Sequence, residues 1–64
     1  MNFQLLIDLV TKVSVSFKIS QRGNNVVVIR LESEDEVDRL IEEFSVYEEF
    51  SVIKNGNELL VSIL

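Results

Sequence analysis

The sequence predicts an α+β domain in the order α-β-β-α-β-β, with a four-stranded, mainly antiparallel sheet carrying both helices on one face. Three observations carry that prediction. Two stretches repeat apolar residues at helical period: Phe3, Leu6, Ile7 and Val10, then Val37, Leu40, Ile41 and Phe44. Four others alternate in polarity or are dense in β-branched and aliphatic residues. Asn55-Gly56 then stands between two of those four, the strongest short hairpin signal. With 64 residues the chain reads as a single domain, residues 1–64.

The first helix is expected over residues 2–12, with Asn2 as its N-cap and Gln4, Asp8, Thr11 and Lys12 on the polar side. Leu5 and Leu9 widen its apolar arc to about 200° at the 100° helical step. One reading is a helix end tucked into the core, the other a helix shared between subunits. Residues 13–20 alternate strictly, Val13, Val15, Phe17 and Ile19 against Ser14, Ser16, Lys18 and Ser20, as a half-buried strand does. Residues 26–31 supply the next strand. Pairing Ile19 with Val27, Phe17 with Ile29 and Val15 with Leu31 keeps every large apolar residue on one face. That register needs an odd-length loop within residues 21–25, with Gly23 or an asparagine at positive φ.

Residues 32–49 form the second helix. Ser33 and Glu36 have the spacing of a capping box, the glutamate reaching back to the serine's own N–H. Glu34, Asp35 and Glu36 complement the helix dipole, and Asp35–Arg39 is an i,i+4 pair. Residues 50–53 and 58–64 make the last hairpin, with Asn55-Gly56 in a type I′ turn pairing Val52 with Leu59 and Phe50 with Val61.

Composition narrows the chemistry. A chain this short buries only about 60% of its unfolded surface, so as a monomer it is marginal and must rely on good packing or on oligomerisation. It has no Cys and no His, which removes disulfides, the common zinc sites, thiol nucleophiles and the usual proton shuttle near neutral pH. Gly23 and Gly56 lie in separate turns, so no glycine-rich phosphate loop exists. The serines lie in strands or at a helix cap rather than in a nucleophile elbow. No catalytic, cofactor-binding or metal-ligating residues are assigned, and the chain is expected not to be an enzyme. The longest apolar run is Val26–Ile29, too short for a membrane span. With no secretion signal pattern, the expected location is cytoplasmic, away from membranes.

The order α-β-β-α-β-β also occurs in one half of LAGLIDADG homing endonucleases, and Leu6-Ile7-Asp8 is similar to part of that motif. The motif's glycines are missing and Val10 stands where its catalytic acid would be, so no family is assigned.

The net charge of −5 is unevenly placed. Residues 1–31 hold Lys12, Lys18, Arg22 and Arg30 against Asp8, a net +3, and residues 32–64 hold Arg39 and Lys54 against ten acids, a net −8. Five apolar residues, Val26, Val28, Ile53, Leu60 and Leu64, are left on the second sheet face, with Leu5 and Leu9 next. Surplus apolar surface of this kind marks an interface. The expectation is therefore a small acidic, non-enzymatic interaction or regulatory module that self-associates as a homodimer and binds another macromolecule, most simply a protein. One alternative is a dimer contacting nucleic acid through Lys18, Arg22 and Arg30. Another is an acidic inhibitor that mimics nucleic acid.

Overall fold

The apolar stripe of the second helix closes over one face of a four-stranded sheet in the computed structural model, which describes residues 3–64. The elements are α1 (Phe3–Val13), β1 (Lys18–Gln21), β2 (Val26–Arg30), α2 (Glu34–Phe44), β3 (Phe50–Asn55) and β4 (Glu58–Ile63). The sheet order is β1-β2-β4-β3 and every neighbouring pair is antiparallel. The α+β architecture is as the sequence implies. The N-cap expected at Asn2 lies outside the described residues.

One hydrophobic cluster joins both helices to the inner sheet face. Leu6, Leu9 and Val10 of α1 and Val37, Leu40 and Phe44 of α2 meet Val27, Ile29, Phe50, Leu59, Val61 and Ile63. The stripe of α2 is the expected one. That of α1 is turned toward Leu9, which is 2% exposed, while Phe3 is 37% exposed. α1 packs beside α2, and its buried residues join the same cluster as the inner sheet face, so its wide arc is used within the chain.

The caps of α2 explain where it stops and starts. Ser33, in extended backbone, accepts a hydrogen bond from the Glu36 N–H at 3.3 Å. The reciprocal bond differs from expectation: Glu36 Oε1 accepts from the N–H of Glu32, one residue before the cap, at 3.2 Å. The helix ends at Phe44 rather than at residue 49, because the Ser45 hydroxyl donates to the Glu42 carbonyl at 2.7 Å and Tyr47 N–H to Phe44 O at 3.0 Å. Such local bonds offer the backbone an alternative to another helical turn. Asp35 and Arg39 form no ion pair among the described residues.

The strand expected over residues 13–20 is shorter. Val13 completes α1, and residues 14–17 form a loop in which Ser14 Oγ accepts from Ser16 N–H at 3.1 Å and donates to Ser16 O at 3.0 Å. Ser14 is thereby buried with its hydroxyl satisfied, and Val15, expected opposite Leu31 in the core, is 98% exposed. Both hairpin registers are shifted by two residues from expectation: Ile19 pairs with Ile29, and Val52 with Val61. A two-residue shift keeps every side chain on its face, so the core face is unchanged. In the first hairpin Arg22 N–H donates to Val26 O at 2.8 Å, closing Gly23-Asn24-Asn25 as a three-residue loop with no positive φ. In the second, Asn55 pairs with Glu58 and the turn is Gly56-Asn57, with Gly56 at φ 62° and Asn57 not positive. That combination is a type II′ turn rather than I′. The register seats Ile63 opposite Phe50, where it is 7% exposed; the expected one would have carried Ile63 past the end of its partner strand.

Gly56→Ala is expected to cost about 1–2 kcal/mol, because a Cβ there meets nothing within 4 Å and the whole penalty is the left-handed backbone. Gly23→Ala, also in open space but not at positive φ, is expected to be neutral within about 0.5 kcal/mol. Urea titration of both variants checks the contrast, and equal costs would remove the turn assignment.

Candidate interaction surface

Strand periodicity places Lys18, Ser20, Val26, Val28, Arg30, Ser51, Ile53, Glu58, Leu60 and Ser62 on the sheet face away from the helices. The ladder then sorts them into rows. Ser20, Val28, Leu60 and Ile53 stand side by side across all four strands. Lys18, Arg30, Glu58 and Asn55 form the row beside them, and Val26, Ser62 and Ser51 the row on the other side. Neither α1 nor α2 covers this face. Val28 and Leu60 are half-buried by their neighbours, and Ile53 is 61% exposed. A shallow hollow lined by Arg22, Val28, Ile53, Lys54, Asn55, Glu58 and Leu60 runs along the apolar row.

The interface residues expected from sequence thus divide. Val28, Leu60 and Ile53 are brought together in one row, with Val26 one row away and Leu64 beyond the end of β4 at 83% exposure. Leu9 is a correction: α1 turns it into the core, where it offers no surface. Leu5 is partly buried against that same core.

The cations are also brought together. Lys18 lies directly opposite Arg30, which lies opposite Glu58. Like charges directly opposite across a ladder repel, and none of Lys18, Arg22 or Arg30 forms an ion pair among the described residues. A second, smaller hollow beside them is lined by Ser16, Phe17, Lys18, Arg30, Leu31 and Glu32. The outer face therefore carries three basic side chains and one acidic, a net +2, and the rest of the chain three basic and ten acidic, a net −7.

Lys54 belongs to the other face. Its ammonium donates to Asp38 at 2.8 Å and lies 3.4 Å from Glu34, both on α2. The hydrogen bond to Asp38 raises its pKa above the ordinary 10.5 against a smaller opposing effect of desolvation. A pKa raised on folding adds stability that is present below the unfolded value and lost as pH climbs through the folded one. No local pattern signals this triad, whose lysine lies 16 and 20 positions from its two acids. Among the described residues no group of three or more His, Cys, Asp or Glu converges as a metal site, and no helix is long and apolar enough to cross a membrane. No family model, no curated protein and no solved structure matches the chain.

Proposed function

We propose that the chain is a non-enzymatic protein-interaction module that self-associates and works by binding a further macromolecule through its uncovered sheet face. The observation that carries this reading is the Val28–Leu60–Ile53 row, an apolar strip left open by both helices and bordered by Lys18, Arg22 and Arg30. An apolar strip with a basic border fits an acidic amphipathic segment of a protein, whose apolar side meets the strip and whose carboxylates meet the border. The remaining titratable groups supply no competing chemistry: the acids of α2 lie at a capped, solvated helix start and on its exposed side.

Self-association is tested by light scattering behind size exclusion over a hundredfold range of concentration. A mass near twice 7.4 kDa is expected, and a monomer mass at every concentration removes that part of the proposal. A second reading has its own support in the Lys18–Arg30 juxtaposition, which presents adjacent unpaired cations to a phosphate backbone. It predicts binding of short DNA or RNA that weakens steeply with salt and disappears in Arg22→Glu/Arg30→Glu. No retention on filters at low salt ends it.

A further inference from the structure

We infer that a second copy of this chain adds to the free edge of β3, antiparallel and with Ile53 on the two-fold axis, so that the two sheets run on as one. The inference rests on the self-association proposed above and names its contact.

The hydrogen-bonding groups on the edge come first. In the β3–β4 hairpin Asn55↔Glu58 closes the two-residue turn, so by alternation Ser51, Ile53 and Asn55 direct their N–H and C=O groups at β4. Phe50, Val52 and Lys54 direct theirs away from the sheet. Two bonds fit this alternation. Leu64 N–H donates to Glu49 O at 2.7 Å, and the outward Phe50 N–H is taken by Tyr47 O at 3.5 Å. Val52 and Lys54 therefore leave two donors and two acceptors on an open edge.

The side chains on that edge carry no free charge to keep another strand away. On the outer face it shows Ser51, Ile53 and Asn55. On the inner face its one lysine, normally a device against edge pairing, is held down to α2 by Asp38 and Glu34. The opposite edge is different. β1 has four residues, and self-pairing there would crowd Lys18 and Arg22 of both copies onto one face. Charge closes one edge of the sheet and leaves the other open.

Register follows from which groups are free. Pairing Val52 with Val52 of a second copy would call on Phe50, whose N–H is already used. Pairing Val52 with Lys54 of the second copy, and Lys54 with its Val52, uses all the free groups of both chains. It places Ile53 against Ile53 of the second copy and Ser51 against Asn55. The Val28–Leu60–Ile53 row then continues without a break into its two-fold image, across a sheet of twice the four strands of one chain. An isologous contact of this kind closes as a dimer rather than growing into a fibre.

The absence of native cysteine makes the contact testable by single substitutions. Residues directly opposite in a non-hydrogen-bonded pair have Cα atoms about 4.5 Å apart, within disulfide reach, whereas two copies of residue 60 would lie three strand spacings apart, about 14 Å. Under mild oxidation Ile53→Cys is expected to give a disulfide-linked dimer in native buffer and little in urea. Ser51→Cys, on the same strand, and Leu60→Cys are expected to stay unlinked. In the unsubstituted protein the Val52 and Lys54 amides should exchange slowly with solvent when concentrated and quickly on dilution. Fast exchange of those amides at a concentration where light scattering gives a dimer mass overturns the edge contact and leaves self-association standing. Linkage through Leu60→Cys in place of Ile53→Cys does the same, in favour of face-to-face stacking. A monomer mass at every concentration overturns both.

Discussion

Phe44→Ala is expected to leave the chain with no cooperative unfolding transition at 25 °C. Phe44 is 1% exposed and heads the fully buried side chains by volume. Its ring meets Phe50 edge-to-face at 4.9 Å and 69°, and Phe50 in turn meets Tyr47 at 6.2 Å and 77°. Such pairs add to area burial because a ring's positive edge meets its neighbour's negative face. Truncating a buried phenylalanine costs about 3–5 kcal/mol, and a core in a domain below about 70–80 residues rarely supplies more than about 3–5 kcal/mol in total. No disulfide is present to make up the difference. Urea titration followed by circular dichroism, at one fixed protein concentration because association feeds into stability, measures it. A sigmoidal transition displaced by less than about 1.5 kcal/mol would show that neighbouring side chains refill the hole and that the ring cluster does not hold the core.

Leu9→Ala and Leu60→Thr are expected to separate folding from binding at the sheet face. Leu9 sits in the core at 2% exposure, so its truncation should cost about 2–5 kcal/mol. Leu60 lies on the uncovered face between Val28 and Ile53. Threonine there introduces a β-branched residue, which suits a strand, and should change the stability of the monomer by only about 0.5–1 kcal/mol. The same change should weaken binding at the sheet face and leave the average mass at dilute concentration unchanged, because Leu60 lies one strand in from the β3 edge. If Leu60→Thr unfolds the chain as Leu9→Ala does, the face is structural and the interaction reading loses its anchor.

Periodicity made much of this fold legible. Val37, Leu40 and Phe44 are buried together as a helical stripe requires, and the inward parity of Ile29, Leu59 and Val61 follows from alternation alone. Register was not legible for the same reason. A shift by two preserves parity, so alternation scores Ile19 against Val27 and against Ile29 equally. A distant contact accompanies the observed pairing: the Asn57 side chain donates to Leu31 O at 3.0 Å while Leu31 N–H donates to Asn57 O at 2.9 Å, stitching the second turn to the end of β2 across 26 positions. The loop at residues 14–17 was hidden by its own pattern, because a Ser-Val-Ser stretch that alternates like a strand can also bond Ser14 to Ser16 locally. Of the candidate surface, the apolar row was visible as leftover residues. The meeting of Lys18 with Arg30 was not, since the expected register set Lys18 against Val28.

The separation of charge between the two layers has a consequence for motion in solution. With a net +2 on the outer sheet face and a net −7 over the rest of the chain, in a molecule whose extents are 26 × 23 × 18 Å, the protein is a permanent electric dipole inside a net-negative envelope. A negatively charged body approaching to within a Debye length, about 8 Å at physiological salt, exerts a torque that turns the sheet side toward it. Net charge alone would have added salt speed such an encounter by screening repulsion. The dipole works in the opposite sense at close range, where salt weakens the torque that points the open face at its target.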